Sequence, residues 1–384
     1  MQGFFDILLR MKSVKIVTMT MLSSDAGKIP QLNIKDAEYL KNLVLERIVS
    51  LQTATDRFPG QKKAGTPIEN TFPIMKARYA LSLIASSLLF LILFYFFVLY
   101  SFPESTYLTI FLIIPLLLIV PGALIMPFTT KYWLGNENIE IQYGLLPRIR
   151  LTILYSRIQD IILEKGFIGR ILGLWQVKVE TGANEEYEYG GKSYKTLNSI
   201  PALLKDDAFM LKKLLIKSMG YGSEEGTTPL VLEIPLEGSK PLKKTISFIV
   251  PLLIIFVIAF IIAVIYFQSY LSSVFLPAIA TFLITLLLKF VRELLYLRSY
   301  YYNFTTNMLI ISKGVISIKE ISLPFDKIQN VFVDQDIFDR IFGLFDVHVS
   351  TVSERSRMEA HIDGLSMENA NRLKEILLGK IKQR

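Results

Sequence analysis

The chain matches itself. Tyr132 to Thr181 aligns with Tyr302 to Thr351 without a gap, and the best-preserved stretch pairs RIQDIILEKGFIGRILGLWQVKVET (Arg157 to Thr181) with KIQNVFVDQDIFDRIFGLFDVHVST (Lys327 to Thr351). A repeat of this length implies one folded unit used more than once, so the chain must be built as an array of similar units. Each copy follows two long apolar stretches. A partial copy stands at the start: Gly3 to Ile48 overlies Asp336 to Ile381, with Ala37 over Ala370.

The apolar stretches read as membrane spans. Tyr79–Phe102, Tyr107–Phe128, Ile246–Phe267 and Ser272–Leu288 carry no interior charge, and each is close to the ~20 residues that cross a bilayer as a helix. Short links, Pro103–Thr106 and Gln268–Leu271, join the members of each pair. Such links imply two antiparallel hairpins with everything else on one side. That side carries Lys76, Arg78, Lys131, Lys243, Lys244, Lys289 and Arg292, whereas the tips carry only Glu104. The positive-inside rule then places both termini and the domains in the cytoplasm of a multi-pass cell-membrane protein. Tyr79, Tyr100, Tyr107, Tyr132, Trp133 and Tyr300–Tyr302 sit where interfacial aromatics are expected. A hydrophobic fraction of 52% agrees.

The spans read as anchors. Transporters place charged or strongly polar groups inside the membrane, and these spans offer only residues such as Ser86, Ser87 and Thr281. Pro115, Pro121, Pro251 and Pro277 imply local bending relieved by neighbouring groups. Transport is therefore the less favoured role. The net charge of +8 follows from the positive-inside bias, and no nucleic-acid partner is expected. The chain has no cysteine and only two histidines, His348 and His361. That removes disulfides and cysteine chemistry and leaves little for a histidine metal site or a catalytic triad. No phosphate loop or nucleophile elbow is present, so no enzyme, cofactor or metal is expected.

Between the hairpins the pattern is mostly strand. Asn138–Tyr143, Ile149–Leu154, Gln159–Leu163 and Val177–Thr181 recur as Met308–Ser312, Ile318–Leu323, Gln329–Val333 and Val347–Thr351. Val177, Val179 and Thr181 alternate with Lys178 and Glu180, the period of a half-buried strand. Gly144 and Gly314 mark turns, and Arg170–Leu174 and Arg340–Leu344 read as a short helical turn ending at glycine. An amphipathic helix closes each copy, at about Lys35–Ser50, Pro201–Met219 and Met367–Ile381, with Ser366 as N-cap of the last. Short antiparallel strands ending in one such helix imply a small barrel or bent sandwich plugged by the helix.

Two spans followed by R/K-I-Q-D/N-[IV] and then R-[IL]-x-G-L-x-x-V-x-V-x-T resemble the membrane-flanked domain family, over nearly the whole chain. The resemblance implies a bacterial pleckstrin-homology-like fold. The expected class is then an α+β membrane protein. It has two transmembrane helical hairpins, each followed by a pleckstrin-homology-like β-barrel or sandwich with a C-terminal helix, and an N-terminal partial copy of that domain. The expected boundaries are a partial repeat at 1–50, a linker at 51–74, a hairpin at 75–128, a domain at 129–220, a linker at 221–244, a hairpin at 245–290 and a domain at 291–384. The chain departs from the family at its start, where Ile7 and Arg10 stand in place of the Arg and Gly of the other copies. A truncated start is the favoured reading.

Several residues are candidates for binding. Arg157, Gln159 and Asp160, with Lys327, Gln329 and Asn330, can line a binding edge; the plainer reading is a strand-to-turn junction held by side-chain bonds to backbone. Arg170 and Arg340 can hold an anion, or simply pair locally beside Gly173 and Gly343. Arg148 and Arg150 form a basic turn able to meet anionic headgroups, although the third copy has Ile318-Lys319-Glu320 there. The insertion Asn184–Ser193 reads as a solvated hairpin extension, and His348 as a surface histidine with no acidic cluster in sequence reach.

The first expectation is a membrane scaffold whose cytoplasmic domains bind a protein or peptide, or another copy, by strand addition with avidity from duplication. The resemblance links such proteins to envelope stress and tolerance of membrane-active peptides. The alternative is a protein that binds anionic lipid and organises the membrane.

Overall fold

The computed structural model describes residues 11–16, 27–55, 68–69, 71–101, 120–144, 148–182, 186–189, 192–195, 198–222, 233–266, 271–352 and 360–382. The chain divides into two units, Met1–Ser223 and Glu224–Arg384. In the first, β1 (Met11–Ile16) and β2 (Gly27–Asn33) form an antiparallel pair leading into the helix Ile34–Thr55. This is the partial copy; its opening residues lie outside the described ones.

The second copy follows. Strands β3 (Ile68–Glu69), β4 (Lys131–Leu134), β5 (Asn138–Tyr143) and β6 (Ile149–Leu154) pair in that order. A 3-10 turn at Tyr155–Arg157 then swings the chain into β7 (Ile158–Lys165). The helix Phe167–Leu172 leads to β8 (Trp175–Thr181), and the insertion forms the two-stranded hairpin β9 (Glu186–Tyr189) and β10 (Lys192–Lys195). Strand β11 (Ser199–Leu203) pairs with β8 opposite β7, and the helix Lys205–Ser218 closes the copy.

The third copy repeats this plan in the second unit. Strands β12 (Tyr301–Phe304), β13 (Met308–Lys313) and β14 (Ile318–Pro324) pair consecutively. After the 3-10 turn Phe325–Lys327 come β15 (Asn330–Asp334), the helix Ile337–Phe342, β16 (Phe345–Ser350), β17 (His361–Leu365) and the helix Met367–Lys382. The second sheet has the order β15-β16-β17. The core joins Tyr302, Leu309 and Leu323 of the first sheet to Val347, Val349 and Ile362 of the second and to Leu373 and Leu377 of the closing helix. Burying each such side chain contributes about 1.5–3 kcal/mol.

The architecture is thus mixed α and β, as expected, but the sheets stay open rather than closing into a barrel. The 3-10 turn ends one sheet and starts the next before a ladder can complete the ring. The three closing helices bury an alanine at the same register, Ala37, Ala208 and Ala370, where a larger side chain would lift the helix off the sheet. Ser366 Oγ accepts from Asn369 N at 3.3 Å, the expected cap.

Some expectations are corrected. The second closing helix starts at Lys205, not Pro201, because Ser199–Leu203 is a strand. Pro201 sits in a bulge between Ile200 and Leu203, where a missing N–H costs no ladder bond. Glu180 is buried rather than outward, with Asn198 Nδ2 donating to it at 3.2 Å. Tyr132, Tyr300 and Tyr302 are core residues, not interfacial ones.

Those tyrosines show how the apolar helices join the domains. Tyr132 Oη donates to the Phe72 carbonyl at 2.6 Å, and burial pushes its phenol up to about 12, so it stays protonated. Tyr302 Oη likewise donates to Ile234 O, and Ile234 is fully buried in the core. Strand β3 pairs with β4 across the intervening helices. The described residues just before the helices, 68–69, 71–74 and 233–239, lie in segments expected to be only connectors and belong to the fold. Each domain is entered, left through apolar helices and re-entered, so the helices are insertions held at both ends.

Among the described residues one helix, Lys240–Ile262, is long and apolar enough to cross a membrane, with mean hydropathy 3.0. It lies within the helix Lys240–Tyr266, which runs antiparallel to Leu271–Ser299: Phe256 meets Phe282 at 5.3 Å, and Lys289 Nζ lies 5.2 Å from the Phe248 ring. Pro251 and Pro277 lie inside these continuous helices. In the first unit the helix Lys76–Ser101 covers the first expected span, and the second is described only over Val120–Thr129.

Candidate functional site

The junction between apolar helix and domain differs sharply between the two full copies. In the third copy the helix begins with Lys240, Lys243 and Lys244. Lys240 Nζ lies 2.7 Å from Asp363 Oδ1, and Lys244 Nζ 2.9 Å from Asp363 Oδ2. Lys243 Nζ bridges Asp336 at 2.8 Å and Asp339 at 2.7 Å. Lys240 is 2% exposed, and its ammonium lies over the rings of Tyr300 at 4.4 Å and Tyr296 at 5.4 Å. Burial raises the pKa of Asp363, but the Lys240 and Lys244 ammonium groups outweigh it and hold the carboxyl well below the usual range. Asp346 has no such clamp. Burial and the nearby charge of Asp363 push it up to about 6, while its Oδ1 accepts from Gly364 N at 2.8 Å.

Local rules place these groups. Asp336 and Asp339 form a capping box on the helix Ile337–Phe342, which ends at Gly343 with φ +66°. Gly364, at φ +81°, lets the β17 bulge pass against Lys240: an added Cβ would lie 2.6 Å from Lys240 Cδ. Gly364→Ala is therefore expected to destabilise the second unit by about 2 kcal/mol, read as a lowered thermal midpoint in detergent.

The second copy replaces this whole cluster. Met75 N donates to Ala202 O at 2.9 Å, matching the 2.8 Å bond from Glu237 N to Gly364 O. On that register Arg78 and Ser82 stand for Lys240 and Lys244, and Pro201 for Asp363. Gly166, Gly169 and Gln176 stand for Asp336, Asp339 and Asp346. Ala202 keeps a positive φ of 57° without glycine. Arg78 Nη1 reaches the Leu172 carbonyl at 3.5 Å instead of entering the domain. A groove of about 390 Å³ remains, lined by Tyr79, Ser82, Ser86, Phe167, Gln176 and Pro201 among others. One copy is locked to its helix by buried ion pairs; the other keeps a space there.

The expected site residues fall in separate places. Arg148 is exposed. Arg150 is also exposed but paired: its Nε lies 2.7 Å from Glu140, its guanidinium sits 4.3 Å from the Trp133 ring, and Lys41 of the partial copy pairs with the same Glu140. Both arginines of the expected basic turn are thus exposed, and Arg150 already has an anionic partner in Glu140. In the second copy Gln159 and Asp160 are buried, with Gln159 Nε2 donating to Arg157 O at 3.4 Å; Arg157 is exposed. In the third copy Gln329 and Asn330 are exposed at the start of β15, beside half-buried Lys327. Arg170 and Arg340 are exposed on the short helices.

Sequence distance concealed the surroundings of His348. Its Nε2 lies 3.1 Å from Asp334 Oδ1, and its ring stacks between Phe332 and His361 at 4.9 and 5.5 Å. Donor atoms of Asp334, Asp346 and His348 all lie within 4.8 Å of one another, a set that can hold a divalent cation. In the second copy Lys178 Nζ, at the His348 position, lies 2.7 Å from Glu164. Strand pairing, not spacing along the chain, assembles this group.

The family described as bacterial PH domain matches residues 86–219 and again 245–381. The chain belongs to that family, with two copies of its domain. No curated protein and no solved structure matched the chain.

Proposed function

We propose that the chain is a multi-pass membrane scaffold. Two helical hairpins hold its PH-like domains at the cytoplasmic face, and the domains bind a protein or peptide partner in an envelope-stress or membrane-active-peptide response. The membrane part is supported by the helix Lys240–Ile262. Only 6% of its most apolar stretch is buried within the protein, and side chains such as Ile255 and Ile258 face outward. Such a surface requires a lipid or protein cover.

The partner reading rests on one observation above all. Strand β15 ends its sheet, and no further strand pairs with its outer edge among the described residues. An open edge accepts an added strand through backbone bonds, and Gln329 and Asn330 are exposed at its start. Lysines on an edge strand oppose such pairing. The double variant Gln329→Lys/Asn330→Lys is expected to lose a stoichiometric companion in gentle detergent purification from native membranes. Both positions are exposed, so its thermal midpoint is expected to stay within the shift that about 0.5 kcal/mol produces. Retention of the companion would contradict the edge reading.

Anionic lipid is the alternative ligand, favoured by the exposed guanidinium of Arg148. Enrichment of anionic lipid with no protein companion would move the assignment there.

A further inference from the structure

The two short helices, Phe167–Leu172 and Ile337–Phe342, each expose an apolar pair one turn apart. Phe167 and Ile171 are 50% and 67% exposed; Ile337 and Ile341 are 76% and 70% exposed. On a six-residue helix in a water-facing domain, one such pair is an accident of composition. The same pair at the same register in both copies is a shared feature of the unit.

Position identifies what covers them. Each short helix lies beside the start of its own apolar helix. In the third copy Lys243 binds Asp336 and Asp339 of the short helix. In the second, Phe167 shares the groove with Ser82 and Ser86, which lie two to three turns inside the helix Lys76–Ser101. The same apolar helices expose large apolar side chains near their starts, Leu81 in one copy and Leu242 and Ile246 in the other. Arg170 and Arg340 are also exposed on the short helices, as suits a cation at headgroup depth.

We infer that each short helix is an interfacial foot: its apolar pair enters the headgroup–acyl boundary beside its own hairpin while its arginine meets lipid phosphate. This rests on the membrane reading above. The foot sets the domain's tilt on the bilayer, because hairpin and foot fix it at separate points. It also explains why side chains that water should reject occupy the loop between β7 and β8 and its counterpart between β15 and β16.

The full chain lacks cysteine, so single cysteines carry an environment-sensitive fluorophore without background. The labelled positions are Ile171→Cys, Ile341→Cys, Ile255→Cys on the apolar helix and Arg372→Cys on the exposed face of a closing helix. Each variant is reconstituted into phosphatidylcholine vesicles with and without brominated acyl chains. The inference expects blue-shifted, bromine-quenched emission at 171, 341 and 255, and none at 372. Quenching at 255 but at neither foot overturns the foot and leaves the membrane reading intact. No quenching at 255 overturns both. As a second readout, Ile337→Asp/Ile341→Asp, altered only at exposed positions, is expected to fold with an unchanged midpoint. With the fluorophore on Phe342→Cys, that variant is expected to shift emission toward the value in water; unchanged emission would contradict the inference.

Discussion

Asp363→Ala is expected to destabilise the second unit by about 3–5 kcal/mol, the usual cost of stranding a buried charge by removing its partner. Lys240 is the charge stranded: it is 2% exposed and its ammonium lies 2.7 Å from Asp363. Lys244 shares the same carboxylate but is about a third exposed, so it can turn to water. The expected readout is a fall in thermal midpoint in detergent, confined to the transition of the second unit. The double variant Lys240→Met/Asp363→Ala is expected to recover most of the loss, since removing both members of a buried pair is often near neutral. The second copy already shows the alternative, with Arg78 directed elsewhere and Pro201 in place of the aspartate. Acid tests the same pair. The folded pKa of Asp363 lies below its unfolded value. Its contribution is therefore fully present above about pH 4 and is lost as pH falls toward the folded pKa. Asp363→Ala removes that part of the acid sensitivity; an unchanged acid profile would show that the ion pair does not govern it.

Gly314→Ala is expected to be as damaging, at about 4 kcal/mol, for a backbone reason. Gly314 has φ +119°, and an added Cβ would lie 1.8 Å from the Ser317 carbonyl oxygen. No side chain can yield there, so the turn between β13 and β14 must open, and the pairing of Lys313 with Lys319 and Ser312 with Glu320 must shift with it. Gly144, at φ +90°, occupies the matching turn of the second copy. A midpoint within a degree of the parent after Gly314→Ala would contradict this geometry.

Much of the domain is legible in the sequence because the repeat supplies an internal alignment. Two copies that keep Gly144 and Gly314, Gly173 and Gly343, and the alternation around Val177 and Val347 identify turns and strands better than either copy alone. What stayed hidden lacks a period. Strands β11 and β17 are bulged, so their alternation breaks at Pro201 and Asp363. The packing of Phe72 and Ile234 under Tyr132 and Tyr302 leaves no local signal, since partner and tyrosine are 60 and 68 positions apart. The ion cluster was hidden for the same reason: Lys240 and Asp363 are 123 positions apart. The pairing of Arg150 with Glu140 has no local signal either, since a basic turn reads the same in sequence whatever anion it meets.

The most direct test of the account is which side of the membrane each part occupies. Single cysteines at Glu104, Gln268, Arg148 and Asn330 can be probed in intact cells with a membrane-impermeant maleimide, against the cysteine-free parent. The account predicts labelling of Glu104→Cys and Gln268→Cys from outside, and labelling of Arg148→Cys and Asn330→Cys only after permeabilisation. Labelling of either domain position in intact cells, or protection of either tip, would contradict two hairpins holding both domains at the cytoplasmic face.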